Sequence, residues 1–377
     1  MKLTIERAAL LKSLNHVQSV VERRNTIPIL ANVLMRAGGG KLSLTATDMD
    51  LEIVESVPAE VTGEGATSAP AHTLYDIVRK LPEGAQVEIE WSGDASAPLS
   101  LRAGRSSFRL GCLPVEDFPS MAGGDLPNRF TLSAKDLRSM IDRTRFAIST
   151  EETRYYLNGI YLHAGRSRHN EDPMPVLRAV ATDGHRLARV EAPLPSGAEE
   201  MPGVIVPRKT VNELRKLIDE SAEEIEVSLS DSKVRFAFES VILTSKLIDG
   251  TFPDYERVIP AGNDKVLAVD ARSFAAAVDR VSTIATEKSR AVKLSLEGGT
   301  LTLSATSAEQ GSATEEIEVV YDSSPIEIGF NSRYLLDITQ QIEGEGAQFT
   351  MADAASPTIV QDAADGSALY VLMPMRV

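Results

Sequence analysis

The stretch MKLTIERAALLKSLNHVQSVV at residues 1–21 decides the fold, because two later stretches of the chain repeat its pattern. Each stretch begins with the alternation typical of a β-strand and continues with apolar residues at helical spacing. The two repeats are RFTLSAKDLRSMIDRTRFAIS at 129–149 and KVLAVDARSFAAAVDRVSTIAT at 265–286. Their period of roughly 125 residues is the size of a whole domain, not of a solenoid repeat of about 20 to 50 residues.

Three further blocks recur in the same order in every copy. A strand that contains the pair Ala-Thr reads LSLTATDMDLEI at 42–53, LRAVATDGHRLARV at 177–190 and LTLSATSAEQ at 301–310. A second helix reads HTLYDIVRKLPEG at 72–84, RKTVNELRKLIDE at 208–220 and SRYLLDITQQIEG at 332–344. A closing strand reads FRLGCLPVEDFP at 108–119, ILTSKLIDGTFPDY at 242–255 and YVLMPMRV at 370–377. Each copy is therefore predicted as strand, helix and three strands, followed by the same unit again.

This order predicts an α+β chain of three similar domains at 1–125, 126–262 and 263–377. A chain of 377 residues that is 43% apolar is long enough for that many cores. The predicted boundaries fall in stretches rich in Pro, Gly and Asn, at 120–128 and 258–265. The helical spacing also predicts buried positions, which are Leu10, Leu14, Val17 and Val21 in the first copy, Leu137, Ile141 and Ile148 in the second, and Phe274, Val278 and Val281 in the third.

Charge is sorted by structural element. The whole chain carries a net charge of −15, which alone argues against a polyanionic partner. The predicted helices at 7–24, 71–80, 134–147, 207–218, 271–284 and 332–341 nevertheless carry +10, which leaves −25 on the remainder. A scaffold that only binds proteins has no reason for this division, whereas a protein that faces a polyanion with its helices does.

The sequence contains no recognisable catalytic or metal site. None of the five histidines pairs with another His or with Cys at metal-ligand spacing, and no nucleophile elbow, phosphate loop or dinucleotide fingerprint occurs. The acids of TATDMD and ATDGHRL are interpreted as turn residues, because the third copy has Ser307 at that place. We therefore expect a non-enzyme that needs no cofactor, although an enzyme with an unrecognised site remains an alternative, as does a purely structural scaffold.

The compartment is predicted from what the sequence lacks. A single cysteine, Cys112, excludes an internal disulfide and is typical of the reducing cytoplasm. The N-terminus enters a strand directly, and no apolar run approaches the length of a membrane span. We expect a cytoplasmic protein with no membrane partner.

Four motifs in this repeated frame resemble one family. They are RYYLNG at 154–159, ATDGHRLA at 181–188, SKLIDGTFPDY at 245–255 and the terminal YVLMPMRV. Together they resemble the bacterial sliding clamp, the beta subunit of DNA polymerase III, over the whole chain. The resemblance implies a head-to-tail homodimer, a ring of six domains with helices inside and sheets outside. Such a ring encircles duplex DNA without sequence preference, is placed there by a clamp loader, and tethers the replicative polymerase catalytic subunit and other clamp-binding-motif proteins.

The physical chemistry of the residues agrees with such a ring. Twelve helices of about 10 Å diameter, side by side, make a circle roughly 35–40 Å across, which admits a duplex and a water layer. Cationic helices would face the phosphates, and phosphate contacts carry no sequence information. The resemblance assigns DNA contact to Arg24, Tyr155 and Tyr156. The alternatives are a solvated arginine at a helix end and tyrosine rings in the core.

Two positions depart from the family pattern. His72, followed by Thr73, stands where a basic pair is expected, and Glu151 stands where a glutamine is expected. Neither residue is assigned a phosphate contact.

The resemblance also implies a peptide groove between the second and third domains. Its residues would be Leu157, Thr182, Gly184, His185, Arg186, Leu187, Pro253, Arg257, Val258, Asn331, Tyr334, Val371, Leu372, Met373, Pro374, Met375 and Arg376. An apolar groove with a few polar groups is typical of peptide sites, and methionines adapt to several partners. The alternative is that YVLMPMRV is only a last core strand.

The dimer contact is expected between the first domain of one chain and the third domain of the other. The resemblance places Arg105, Phe108, Arg109 and Leu110 on one side, and Ile284, Glu309, Glu315 and Glu316 on the other. The arginines and glutamates are complementary in charge, although rim ion pairs contribute little individually. The identities and affinities of the competing partners do not follow from the sequence.

Overall fold

The fold was obtained as a computed structural model, which describes residues 1–121, 123–167, 173–218, 223–285 and 290–377. The chain divides into two compact units. The first comprises Met1–Lys135, Ser196–Met201 and Lys209–Leu247, and the second comprises Asp136–Pro195, Pro202–Arg208 and Ile248–Val377. Each unit combines antiparallel sheets with helices, so the predicted α+β class is confirmed.

Six α-helices occur in the described residues, two for each predicted domain. They are α1 (Arg7–Gln18), α2 (Ala71–Lys80), α3 (Ala134–Asp142), α4 (Arg208–Leu217), α5 (Ala271–Ser282) and α6 (Ser332–Thr339).

The strands repeat with the helices. The first copy contains β1 (Lys2–Glu6), β2 (Asn32–Gly38), β3 (Lys41–Thr47), β4 (Leu51–Pro58), β5 (Glu60–Gly63), β6 (Gly65–Pro70), β7 (Gln86–Glu90), β8 (Leu99–Ala103) and β9 (Ser106–Leu110). The second contains β10 (Asn128–Ser133), β11 (Gly159–Arg166), β12 (Pro175–Thr182), β13 (Arg186–Pro193), β14 (Val204–Pro207), β15 (Glu224–Leu229), β16 (Lys233–Ala237) and β17 (Val241–Lys246). The third contains β18 (Lys265–Asp270), β19 (Ala291–Glu297), β20 (Thr300–Ser307), β21 (Gly311–Glu318), β22 (Ile326–Asn331), β23 (Gly346–Met351), β24 (Thr358–Asp362) and β25 (Ala368–Leu372).

The predicted order of elements is confirmed. In the second and third copies a strand, a helix and three strands are followed by the same unit again. The first copy differs by one addition, the short strand β5, which pairs with β1. The sequence motif did not indicate this strand, since its residues EVTG show no apolar alternation.

Each unit contains one large sheet that joins strands of two predicted domains. In the first unit the sheets have the orders β5-β1-β7-β8-β9 and β10-β15-β16-β17-β4-β3-β2-β6. In the second unit they have the orders β14-β11-β12-β13-β25-β24-β23-β18 and β21-β20-β19-β22. The joints are the antiparallel pairs β17–β4 and β13–β25. Because the two large sheets continue across the predicted domain boundaries, the chain divides into two compact units although the sequence repeat predicts three domains.

Two helices end at least five residues earlier than predicted, whereas the other four end within two residues of the predicted position. The helix predicted at 7–24 ends at Gln18, because Val20 and Val21 are buried and their amides donate to carbonyls three residues back. The helix predicted at 134–147 ends at Asp142, where the Thr144 hydroxyl donates to the Met140 carbonyl 2.6 Å away. Four arginines and one glutamate thus lie beyond the helix ends, and the observed helices carry a net +7 instead of +10.

The helix faces pack as the spacing predicted. Every apolar position named from the helical spacing is buried, and the first-copy leucines and Phe274 are fully inaccessible. The strands pass directly into the helices, so the last strand residue serves as the N-cap. Glu6, Asp270 and Asn331 each accept a hydrogen bond from a backbone amide in the first turn of α1, α5 and α6.

Candidate functional site

A hydrophobic cluster in the second unit forms the centre of the candidate site. Its buried members are Leu157, Val180, Leu187, Ile205, Phe252, Tyr255, Leu369 and Val371. Five half-buried side chains pack against it, namely Tyr156, Tyr161, Ile248, Ile259 and Ile359. The cluster contains three of the residues assigned to the peptide groove, Leu157, Leu187 and Val371. It can hold apolar side chains of a ligand at its exposed margin.

The last strand and the tail cross this region. Along β25, Leu369 and Val371 belong to the cluster, whereas Leu372 is fully buried outside it, as expected from the alternation of a strand. Beyond β25 the Met373 amide donates to the His185 carbonyl at 3.0 Å and the Met375 amide donates to the Gly329 carbonyl at 2.7 Å. The tail therefore runs from the large sheet to β22.

Gly329 makes this crossing possible. A Cβ atom at position 329 would lie 2.4 Å from Cγ1 of Val377 and 2.7 Å from the Met375 carbonyl oxygen. Met373, Pro374 and Met375 are half-buried along the tail, and Arg376 is exposed. YVLMPMRV is thus a core strand as far as Leu372 and a partly accessible segment after it.

Arg186 organises the polar side of the site. Its guanidinium is 9% exposed and lies 4.3 Å above the Tyr334 ring. It donates to the Asp337 carboxylate at 2.5 Å and to the Phe146 carbonyl at 2.7 Å. The exposed His185 ring stacks on Tyr334 with ring centroids 6.4 Å apart. Burial raises the pKa of Tyr334. The arrangement holds a flat aromatic surface beside the cluster.

The turn before Arg186 confirms the structural interpretation of the repeated acids. The Asp183 carboxylate accepts the backbone amides of His185 and Arg186 at 2.9 and 3.0 Å. In the first copy Asp48 accepts two amides in the same way, and in the third copy the Ser307 hydroxyl does so. Turn formation therefore accounts for the acids without any catalytic role.

Gly184 occupies the left-handed position of that turn. Its φ is 88°, and a Cβ atom there would lie 2.5 Å from the Arg154 guanidinium. Thr182 closes the turn, since its hydroxyl donates to the Arg186 carbonyl at 2.7 Å. Glycine thus suits both the backbone conformation and the neighbouring side chain.

The remaining groove residues lie on exposed segments. Pro253 precedes a 3₁₀ helix, Tyr255–Val258, from which Arg257 and Val258 project into solvent. Val258 is 45% exposed, and the Arg257 side chain is 86% exposed and pairs with Asp254 at 2.8 Å. Asn331 is engaged as the N-cap of α6.

The residues assigned to DNA differ in accessibility. Arg24 is exposed in the turn after α1. Tyr155 is 54% exposed, whereas Tyr156 packs against the hydrophobic cluster and meets the Tyr155 ring edge-on at 5.8 Å. Of the two tyrosines, Tyr155 is thus the one positioned to meet a ligand in solution.

The two departures from the family pattern are engaged within their own units. His72 contacts the Gln18 side chain and the Val21 carbonyl, each at 2.9 Å. Glu151 accepts hydrogen bonds from the Arg154 guanidinium, which hold the pKa of the Glu151 carboxyl below its usual range. Both observations agree with assigning no phosphate contact to these residues.

The residues assigned to the dimer contact lie on two edge strands or in the turns before them, except Ile284, which follows α5. In the described residues β9 ends the five-stranded sheet with β8 as its neighbour, and β21 ends the four-stranded sheet beside β20. Phe108 is half-buried and Leu110 buried, while Arg105 and Arg109 are exposed. Glu309 and Glu316 are exposed, and Ile284 and Glu315 are half-buried.

Glu315 is already paired in its own unit. The Arg280 guanidinium donates to it at 3.0 and 2.5 Å and lowers the pKa of the Glu315 carboxyl. Of the three glutamates assigned to the contact, Glu309 and Glu316 are therefore the two whose charge is left for another partner.

Two kinds of site are absent from the described residues. In the ranges that the structure covers, no three His, Cys, Asp or Glu side chains lie together as a metal site. Among those same residues, no helix is long and apolar enough to cross a membrane.

Several cluster residues were not identified from the sequence. In the sequence, each of these residues has the pattern of an ordinary core position. They belong to the buried part of the hydrophobic cluster and are Val180, Ile205, Phe252, Tyr255 and Leu369. Only the motif TFPDY, with two aromatic residues flanking a proline turn, offered a local signal for Phe252 and Tyr255.

Comparison with known proteins places the whole chain in one group. Three family models match in succession, described as the N-terminal domain of the DNA polymerase III beta subunit at residues 1–122, its central domain at 131–254 and its C-terminal domain at 256–376.

Full-length relatives agree with this match. Proteins named beta sliding clamp are 57% identical in Caulobacter vibrioides, 41% in Pseudomonas aeruginosa and 38% in Escherichia coli, with all of both chains covered. A crystal structure of the clamp from Bartonella birtlesii bound to griselimycin superposes with a TM-score of 0.95 at 50% identity, covering both chains completely. The crystal structure of the clamp from Caulobacter crescentus superposes with a TM-score of 0.93 at 56% sequence identity, again over the full length of both chains.

Proposed function

The chain belongs to the DNA polymerase III beta subunit family, and on that basis we propose that two copies close head to tail into a ring around duplex DNA. Membership makes the protein a sliding clamp, a non-catalytic processivity subunit, as the motifs predicted. The alternative of an enzyme with an unrecognised site is thereby wrong. The single observation that carries the ring is that β9 and β21 have no further strand beside them in the described residues, at the positions equivalent to the two joints within the chain.

The repeat defines that joint residue by residue. Paired residues form one row across each sheet, and the three rows are Leu3, Ile89, Leu101 and Phe108; Phe130, Val227, Phe236 and Leu243; and Leu267, Phe349, Val360 and Tyr370. The second row continues across the joint to Ile53 of β4, and the third continues to Ala188 of β13. The first row stops at Phe108.

The residue that would lie opposite Phe108 in a second copy can be inferred from the hairpins β3–β4, β12–β13 and β20–β21. Ile53 and Ala188 each lie opposite the alanine of an Ala-Thr pair, and the third member of that set is Ala313 on β21. Phe108 of one copy would therefore lie opposite Ala313 of a second copy. Such pairing would remove both exposed edges, and a head-to-tail contact whose rotation closes gives a ring. In this arrangement Arg105, Arg109 and Leu110 join Phe108 against Ile284, Glu309, Glu315 and Glu316 of the second copy.

The three-domain division at 1–125, 126–262 and 263–377 is part of this proposal. Two domain boundaries within the chain are joined by β17–β4 and β13–β25, and the dimer contact supplies the third joint. Six domains of two chains would then repeat around the ring, with helices toward the DNA.

Basic helices support the DNA-facing role. The six helices carry +7 while the whole chain carries −15, so cations are concentrated where phosphates would lie. Exposed Arg24 and Tyr155 would make direct contacts, and the half-buried Tyr156 would support Tyr155 from behind. Contacts of this kind hold a duplex without reading its sequence and permit sliding.

The hydrophobic cluster and the tail would bind partners. The apolar floor, the Tyr334 ring and the adaptable Met373 and Met375 fit a short peptide segment of the polymerase catalytic subunit and of other proteins with a clamp-binding motif. A clamp loader is required, since a closed ring cannot thread onto circular DNA. The site of action would be the cytoplasm.

The ring is tested by retention on DNA. With its loader, the protein should remain on nicked circular DNA through gel filtration at high salt and be lost when the circle is linearised. An electrostatic binder would instead leave both DNAs equally as salt rises. Equal retention on circle and line would contradict the ring.

A further inference from the structure

A buried arginine lies behind the candidate groove. The Arg178 side chain on β12 is 4% exposed and is bound on every side. It donates to the Glu191 carboxylate at 2.8 Å, to the Glu256 carboxylate at 2.6 Å and to the Arg166 carbonyl at 2.6 Å. A buried cation with charge-assisted bonds to fixed acceptors has little freedom to move.

Tyr255 connects this arginine to the hydrophobic cluster. Its ring is 4% exposed within the cluster, while its hydroxyl lies 3.3 Å from Arg178 Nη1 and 2.9 Å from His163 Nε2. His163 Nδ1 is 2.8 Å from the Ala164 carbonyl, so this nitrogen carries the proton and Nε2 accepts from the tyrosine. Burial lowers the pKa of His163, which favours that neutral form. Arg178, Tyr255 and His163 thus form one continuous chain of hydrogen bonds.

The 3₁₀ helix Tyr255–Val258 depends on this chain of hydrogen bonds for its position. No side chain caps its N-terminus, and the backbone bond from the Arg257 amide to the Asp254 carbonyl is long at 3.4 Å. Tyr255 and Glu256 point inward to Arg178, while Arg257 and Val258 point outward to solvent. A short helix that is weakly held by its own backbone takes its position from the inward side chains.

Gly165 leaves room for the guanidinium. A Cβ atom at position 165 would lie 3.3 Å from the Cζ, Nε and Nη1 atoms of Arg178. Its φ is not in the left-handed region, so alanine is tolerated by the backbone there. A methyl group at this point would press on Arg178, whose guanidinium atoms are its three nearest neighbours.

We propose that Arg178 is a positioning residue for partner binding, and that it acts through Glu256 and Tyr255 to hold Arg257 and Val258 at the groove. Arg178 itself would not contact the partner. This inference rests on the proposed partner-binding function. We call the hydrogen bonds from Arg178 to Glu256 and Tyr255 the tie. Without the tie, the binding-competent position of the 3₁₀ helix becomes only partly populated, and the apparent affinity falls in proportion to that population.

The test measures binding of the DNA polymerase III catalytic subunit by surface plasmon resonance. Glu256→Ala removes the tie, Glu256→Gln keeps an oxygen acceptor for Arg178 Nη1, and Gly165→Ala disturbs Arg178 from the other side. Glu297→Gln, at an exposed position on β19, is the matched control. Melting temperature and dimer mass are measured for every variant.

Loss of the tie should raise the Kd about three- to tenfold in Glu256→Ala and in Gly165→Ala, if the competent population falls to roughly a third to a tenth. Glu256→Gln should retain most of the affinity, Glu297→Gln all of it, and dimer mass should be unchanged. Unchanged affinity in Glu256→Ala, or no rescue by Gln, would overturn the positioning role. Failure of the wild type to bind the polymerase would instead refute the proposed partner-binding function.

Discussion

A disulfide across the proposed dimer joint tests its residue pairing directly. In the joint within the chain, Glu55 lies opposite Val241, and the equivalent pair between two copies is Glu315 and Ser106. The proposed variant therefore carries Ser106→Cys and Glu315→Cys in a background in which Cys112, the only native cysteine, is changed to Ser.

The expected distance follows from the ladder within the chain. The Ser56 amide donates to the Ser240 carbonyl at 2.9 Å, so the neighbouring pair Glu55 and Val241 is of the non-hydrogen-bonded kind. The Cα atoms of such pairs are about 4.5 Å apart, within the range of about 4.4–6.8 Å that disulfides require. Mild oxidation should therefore form two disulfides per ring, seen as a dimer on a non-reducing gel.

A slipped pair provides the control. Ser107→Cys with Glu315→Cys moves one cysteine by a single residue and so to the other face of the sheet. It should cross-link far less, and each single cysteine variant should not form the intersubunit bond. Equal or better cross-linking of the slipped pair would refute the pairing of Phe108 with Ala313. A ring locked before loading should also fail to enter nicked circles until a reductant is added.

Three further outcomes are expected. Phe108→Ala with Ile284→Ala should give monomers by light scattering, because two of the three apolar residues assigned to the joint are truncated. A retained dimer would remove these residues from the contact. Deletion of residues 373–377 removes two backbone hydrogen bonds, which contribute about 1–3 kcal/mol, so the ring should stay folded. The shortened protein should no longer bind the polymerase in surface plasmon resonance, and unchanged binding would exclude the tail from the site. Burial raises the pKa of Tyr370 to about 12, so the tyrosine ionises at lower pH in the unfolded state and the free energy of unfolding should fall between about pH 10 and 12. In denaturant titrations Tyr370→Phe should show a smaller fall over this range, and an equal fall would contradict the raised pKa.

Local pattern was sufficient for most elements of this fold, and β5 is the exception. Apolar spacing located the six helices and, in each copy, the strand that leads into the first of its two helices, because both depend on neighbouring residues. Helix ends were harder. The end of α1 depends on the burial of Val20 and Val21, and the end of α3 on a local hydrogen bond from the Thr144 hydroxyl to the Met140 carbonyl, and apolar spacing indicates neither. The joints β17–β4 and β13–β25 pair residues 178 to 194 positions apart in sequence and leave no periodic signal.

The site was predicted unevenly for a related reason. The resemblance supplied residues such as Arg257 and Met373, whose assignment to the groove came from the family pattern. Buried residues such as Arg178 and Tyr255 are distant in sequence, and only the folded chain brings them into contact. The turn at Asp183 was interpreted correctly because comparison with Ser307 in the third copy separated turn formation from chemistry.

The proposed joint between two copies would differ from the two joints within the chain in one respect, which is covalent continuity. Strands β17 and β4 belong to one polypeptide, so after any separation they meet again at an effective concentration that does not depend on the concentration of the protein. Strands β9 and β21 of two copies meet only at the concentration of free protein. In the proposed ring, dilution therefore opens the joint between the two copies first, and the abundance of the protein in the cell sets what fraction of the unloaded chains is closed into rings.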